Sequence, residues 1–146
     1  MSVTVRRMNA QDTEAVLSIN EKITGHPHEA QWESRIIDSL TRNPLGCLVA
    51  ESDGKVVGFV LADIRGWEFA IPKSGWIEIV GVDPGYQGKG VARALIGTLG
   101  LYFRNNNVER VMTMVNWNEG GLVGFFRSLG FERSEFILLE KGPDRK

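Results

Sequence analysis

The sequence predicts an α/β fold, a mixed and mostly antiparallel sheet flanked by helices. Three observations carry this. Short β-branched runs recur along the chain, as in Val3-Thr4-Val5 and Ile77-Glu78-Ile79-Val80. Between such runs lie stretches with apolar residues at helical spacing, such as Val91, Leu95, Leu99 and Tyr102. Asp53-Gly54 links two apolar runs directly, a hairpin signal that makes neighbouring strands antiparallel.

Taken in order, residues 3–8 alternate and form the first strand. Asn9, or the run Gln11-Asp12-Thr13-Glu14, opens a helix with acids in its first turn, and Val16, Ile19 and Ile23 form its apolar stripe. Gly25-His26-Pro27-His28 breaks that helix. A second helix covers about 29–42, with Trp32, Ile36, Ile37 and Leu40 facing inward. Asn43-Pro44 closes it, because the residue before proline is pushed out of helical geometry. Strands over 46–51 and 55–64 flank the Asp-Gly turn. Residues 65–74 form a loop carrying Trp67, Phe69 and Ile71. The fourth strand covers 75–82. A glycine-rich turn follows, then a helix to about Arg104 that Asn105-Asn106-Asn107 ends. A fifth strand covers 108–115. A short helix over about 119–129 has Leu122, Phe125, Phe126 and Leu129 on one face and Gly130 just past its end. A last strand covers 131–141, and the tail to 146 is polar. The order is β-α-α-β-β-β-α-β-α-β.

Composition narrows the function classes. A chain of 146 residues fits one domain, 1–146, able to bury a core. A net charge of −1 supplies no basic field for nucleic acid or an anionic membrane, so neither is an expected partner. Cys47 is the single cysteine, which excludes an internal disulfide; in Gly46-Cys47-Leu48-Val49-Ala50 it reads as a small core residue. His26 and His28 lack a carboxylate cluster in sequence, so no metal site is expected. No run approaches ~18 apolar residues, and a soluble, cytoplasmic protein is the expectation.

The chemistry concentrates in the turn after the fourth strand. Asp83-Pro84-Gly85 stops the strand, since proline has no N–H for a ladder. Gly88 and Gly90 then leave main-chain amides uncovered at a helix N-terminus, where the macrodipole also favours anions. Lys89 adds a positive charge. The spacing is neither G-x-G-x-x-G nor G-x-x-x-x-G-K-[ST]. The plain alternative is a strand–turn–helix corner whose glycines serve packing.

The pattern Gln-x-x-Gly-x-Ala over 87–92, after the apolar strand and Val82-Asp83-Pro84, resembles the acyl-CoA loop of the GCN5-related N-acetyltransferases. The element order resembles theirs too, over nearly the whole chain, although only 80–93 and 118–131 carry specific motifs. The resemblance implies a sheet splayed between strands four and five, with the pantetheine arm of acetyl-CoA in the gap. It implies a β-bulge on strand four that frees amides at Val80 and Val82 for the thioester oxygen. Val80, Gly81 and Val82 would then hold the pantetheine, and Gln87, Gly88, Lys89, Gly90, Val91, Ala92 and Arg93 the pyrophosphate. Asn118, with Asn116 as its neighbouring alternative, and Phe125 would complete the coenzyme site. Asn118 also stands where it would cap the last helix, and Gly120-Gly121 opens that helix.

Acetyl transfer from a thioester to an amine needs a proton acceptor, an oxyanion site and a route for the departing thiolate. Glu78 is the candidate base. Strict alternation puts it on one face with Trp76, Val80 and Val82, and apolar neighbours would raise its pKa. It matches the strand-four glutamate that acts as base in part of the family. A solvated glutamate, or one paired with an arginine, is the alternative; Glu68 is a weaker candidate. Phe126 stands where many relatives have a tyrosine that protonates the thiolate, and phenylalanine has no proton to give. Tyr86 and Tyr102 read as packing residues. The resemblance also implies an acceptor pocket walled by the segment between the first two helices and by the 65–74 loop, so that Trp32, Trp67 and Phe69 are lining candidates. The expected function is an acetyl-CoA-dependent N-acetyltransferase acting on a primary amine, with a protein lysine or N-terminus favoured over a small metabolite because the chain lacks large pocket-building insertions, and with a homodimer by analogy. A non-catalytic acyl-CoA sensor is the rival, and a module without ligand the third reading.

Overall fold

Turn chemistry and alternation build the sheet much as the sequence dictates. The computed structural model describes residues 2–66, 73–118 and 120–144. Trp67, Glu68, Phe69, Ile71 and Glu119 therefore lie outside the described residues. The strands are β1 (Thr4–Arg7), β2 (Cys47–Ser52), β3 (Lys55–Arg65), β4 (Ser74–Val82) and β5 (Arg110–Thr113). The helices are α1 (Thr13–Thr24), α2 (Ala30–Arg42), α3 (Val91–Asn105) and α4 (Gly120–Ser128). The chain divides into two compact units, Met1–Met114 and Val115–Lys146.

In the first unit the sheet runs in sequence order, β1 to β5. The first three pairings are antiparallel; β4 and β5 are parallel, because α3 carries the chain back between them. The β2–β3 turn has positive φ at both Asp53 (51°) and Gly54 (75°), the geometry that Asp-Gly favours. Asn9 opens the α1 region with reciprocal caps: its Oδ1 accepts from the Gln11 amide at 2.9 Å, and Asp12 Oδ2 accepts from the Asn9 amide at 2.9 Å.

Each face of the sheet has its own core. A side-chain carbon on Gly58 would point at Val91 and Leu95, so α3 covers the face that bears Gly58 and its cross-strand partner Val82. Val60 and Val80 pair on that face too. Leu95 and Leu99 are fully buried there. The opposite face carries Phe59 and Leu61, packed with Val16, Leu17 and Ile19 of α1 and Ile36 of α2. Cys47 is buried in that cluster, as a core residue should be.

Five expectations need correction. Ile37 is exposed, because it lies one residue, about 100°, round α2 from the buried Ile36. Ile23 is exposed: it sits in the last turn of α1 over Gly81, which offers no side chain to cover it. Leu122 on α4 is exposed as well, while Phe126 of the same stripe is buried against Phe125 and Phe131, both edge-on at 5.2 Å; Leu122 precedes Phe126 by a full turn, near the helix start. The last strand does not form. Residues 131–144 join no ladder among the described residues, and the Phe136 amide instead donates to Ser134 Oγ at 3.0 Å. A local side-chain bond of this kind competes with strand pairing. β5 is also shorter than 108–115. Gly130 takes its expected place past α4, with φ of 93°.

Candidate active site

The register of β3 against β4 creates the first feature. Ala62 pairs with Ile77 and Leu61 with Ile79, so Glu78 is an extra residue, a β-bulge. The bulge resets the alternation. Before it, Trp76 faces α1 and α2; after it, Ile79 and Gly81 face them and Val80 and Val82 face α3. Glu78 stays on the α1/α2 side, where Arg35 of α2 reaches it. Sharing a face with Trp76 holds; sharing one with Val80 and Val82 does not, because strict alternation fails at the extra residue. Nor are the neighbours of Glu78 purely apolar. Arg35 Nη2 lies 3.5 Å and Arg65 Nη2 3.6 Å from Glu78 Oε2. The Glu78 side chain is 17% exposed.

The second feature is the free side of β4. Its parallel ladder with β5 covers only Ser74–Ile77, although β4 continues to Val82. The Asp83 amide donates to Val57 O at 2.8 Å. In an antiparallel ladder donors alternate. The Gly81 amide therefore points to β3, and the Val80 and Val82 amides point away from it, to the side where β5 has no ladder. Thr113 Oγ1 donates to Ile77 O at 3.0 Å, where the two strands part.

The third feature is the loop. Asp83 holds its base: Asp83 Oδ1 accepts from the Gly85 amide at 2.9 Å, and Asp83 Oδ2 pairs with Lys22 Nζ at 3.0 Å. The buried Asp83 carboxyl is held below its ordinary pKa, first by the Gly85 amide bond and then by Lys22. Gln87 Nε2 donates to Val82 O at 3.2 Å, tying loop to strand. Gly88 and Gly90 have φ of 76° and 84°. Both take the left-handed conformation that glycine adopts without strain. Gly90 is the N-cap of α3 and has no side chain to bond the first-turn amides. No atom lies within 4 Å of where a side-chain carbon at either glycine would stand. Lys89 Nζ and Lys55 Nζ each lie 5.6 Å from the Tyr86 ring centre. The result is an open, uncapped helix N-terminus beside cationic side chains, where an anion is favoured.

Tyr102 is a packing residue as expected, its hydroxyl donating to Asn43 Oδ1 at 2.6 Å. Trp32 packs against the core, with its ring 6.5 Å from that of Phe59. His28 Nδ1 lies 3.0 Å from Glu21 Oε2. Among the described residues no group of three His, Cys, Asp or Glu side chains is placed to hold a metal, and no helix is long and apolar enough to cross a membrane. In the second unit the Asn118 amide donates to Asn116 Oδ1 at 2.9 Å, and Asn118 is exposed. Phe125 is half-buried against Phe126.

Sequence reasoning missed Arg35 and Arg65. Arg35 was detectable in part: it stands one helical turn after Trp32 and lies over that ring, 5.5 Å from its centre. Arg65 stacks over Trp76 at 4.7 Å, a contact between adjacent strands that needs the register to be known.

Comparison with known proteins identifies the family and the fold. The model of the Acetyltransferase (GNAT) family matches residues 13–131. A mycothiol acetyltransferase of Saccharomonospora viridis is 30% identical over 134 residues, covering 86% of this chain and 44% of the relative. The chain thus spans less than half the length of that relative. An acetyltransferase of Pectobacterium atrosepticum is 28% identical over 137 residues, covering 94% of this chain and 93% of the relative. Among solved structures, the aminoglycoside N-acetyltransferase AAC(6′)-Iy in complex with CoA has a TM-score of 0.81 at 21% identity, covering 97% of this chain and 95% of that one. That likeness speaks for the fold.

Proposed function

The chain belongs to the GNAT family of acetyltransferases, and from that premise we propose that it moves the acetyl group of acetyl-CoA directly to a primary amine. One observation carries the reading. The uncapped N-terminus of α3 adjoins a strand whose Val80 and Val82 amides face away from its ladder partner. A diphosphate suits the first and an amide-rich pantetheine arm the second. Gln87, Gly88, Lys89, Gly90, Val91, Ala92 and Arg93 are the residues assigned to the diphosphate, Val80, Gly81 and Val82 to the pantetheine. Asn118 and Phe125 keep their coenzyme role as part of the same proposal.

The reaction then needs little from side chains. The amine nitrogen attacks the thioester carbon, a C–N bond forms, and the C–S bond breaks with its electron pair on sulfur. The ammonium proton passes to the Glu78 carboxylate, directly or through water. Strand amides stabilise the developing oxyanion. The buried Phe126 favours a second reading, a coenzyme sensor without turnover, since it supplies no acid for the thiolate.

Turnover by the unaltered protein decides between them, and Glu78→Gln tests the base. The expected result is unchanged CoA affinity by calorimetry with kcat lowered about 100-fold or more, the usual reach of a positioned base. Full activity in the variant removes Glu78 from the mechanism. Coenzyme binding without turnover of any amine by the unaltered protein establishes the sensor instead.

A further inference from the structure

Two guanidinium groups flank one carboxylate beside the proposed base, and each lies on a tryptophan face. Arg35 sits over Trp32 and Arg65 over Trp76, at 5.5 and 4.7 Å from the ring centres. Both approach Glu78 Oε2 at 3.5–3.6 Å, longer than the ~2.7–2.9 Å of a charge-assisted hydrogen bond. Among the described residues each guanidinium meets only the Glu78 carboxylate and its own tryptophan ring, which leaves most of its planar fork open. Their side chains are 50% and 43% exposed, that of Glu78 only 17%. The cations therefore front the solvent and the carboxylate lies behind them. Among the described residues the charges do not cancel: two positive groups meet one negative. Asp63, opposite Trp76 on the same face, is already engaged by Arg42 at 3.2 Å and by the Asn43 amide at 3.2 Å.

We propose that Arg35 and Arg65 form an anion-recognition site for the acceptor, so that the preferred substrate is an amine whose own molecule carries a carboxylate or phosphate group. This rests on the assignment of Glu78 as the base, which puts the acceptor nitrogen beside the arginines. Stacking on indole holds each guanidinium in place before the acceptor arrives, and the fork geometry matches two oxygens of an oxyacid. The spare positive charge attracts an anionic acceptor and repels a polycation. Trp32 and Trp76 give the site a fluorescent reporter under each arginine.

The test uses matched amines with saturating acetyl-CoA: β-alanine against propylamine, O-phosphoethanolamine against ethanolamine, and spermidine as polycation. The anionic member of at least one pair should have kcat/KM higher by about tenfold or more, the size of one or two charge-assisted bonds. The two pairs separate carboxylate from phosphate. Arg35→Met and Arg65→Met should each erase that preference, mainly through KM, with CoA affinity and melting temperature kept. Equal or better turnover of the neutral amines or of spermidine overturns the proposal, as does an equal loss on all amines in the arginine variants. Tryptophan fluorescence of the CoA-loaded protein, titrated with β-alanine and O-phosphoethanolamine, reads the site without turnover; no saturable change with either overturns it too. Glu78→Gln separates the two claims. If Glu78 is not the base, that variant keeps its activity, while the titration still judges the arginines. If the arginines bind anions, it binds the probe several-fold more tightly, having lost the competing carboxylate.

Discussion

Position 90 allows the coenzyme seat to be tested by charge alone. Gly90 has φ of 84°, and no atom lies within 4 Å of a side-chain carbon built there. Asparagine and aspartate are the two other residues that tolerate this conformation best, and they have nearly the same shape. Gly90→Asn and Gly90→Asp should therefore lose similar stability, about 1 kcal/mol, or about 3 °C of melting temperature for a chain of this size. They differ by one negative charge at the N-cap of α3. A unit charge about 5 Å from a phosphate, at an effective dielectric of about 40, costs about 1.7 kcal/mol before screening. With the Debye length of about 8 Å at 0.15 M salt, roughly 1–2 kcal/mol remains for a diphosphate. The aspartate variant should then bind CoA about 5- to 30-fold more weakly than the asparagine variant. Calorimetric titration with CoA at 0.15 M and at 1 M sodium chloride measures it, and the gap should shrink at high salt. Equal affinities in the two folded variants would refute an anion seat at this corner.

Three more outcomes follow from the same structure. A methyl at Gly75 would lie 2.5 Å from Phe103 Cε1, so Gly75→Ala should lower stability by about 1–3 kcal/mol, with partial rescue by Phe103→Leu; an unchanged denaturation midpoint counts against the packing described. The Arg6 bonds hold the Asp12 carboxyl below its ordinary pKa, as the Gly85 amide does for Asp83. Their contribution is fully present above the unfolded carboxylate value of about 4 and is lost as pH falls through the lower folded values. Urea midpoints should thus fall between pH 4 and 2.5, less steeply in Asp83→Asn, and a flat profile would contradict this. Burial pushes the Cys47 thiol up to about 11, so an aromatic disulfide reagent at pH 8 should label it only as fast as the protein opens; labelling on mixing would show an accessible thiolate.

The sequence made the elements legible where local chemistry decides them. Asp53-Gly54, Gly130 and the Gly90 boundary of α3 each need a special backbone conformation, and residue type alone reveals it. The geometry of the corner proposed for the coenzyme was readable for the same reason, being made mostly of main chain. The surroundings of Glu78 were not. Alternation assigns its face correctly only if every residue takes part in the ladder, and the extra residue in β4 arises from pairing with β3, between Leu61 and Ala62. Arg65 and Arg35 come to it from another strand and a helix, distances in sequence that no local pattern spans. The expected strand over 131–141 failed for a related reason: apolar character made Ile137, Leu138 and Leu139 look like strand, but a strand also needs a main-chain ladder, and among the described residues this segment joins none.

The extra residue in β4 gives that strand an unusual slack. Most point substitutions from 79 to 82 would leave the main-chain donors aimed where they are, because direction there is a matter of counting and not of identity. Deleting one residue between 78 and 80 would be absorbed there: Ile77 would still pair with Ala62 and Gly81 with Phe59, the Val82 amide would still face away from β3, and only the extra residue would be lost. A one-codon gap at Val80 should therefore spare the main-chain donors that follow it and disturb instead the placement of Glu78, which would be drawn into the ladder opposite Leu61.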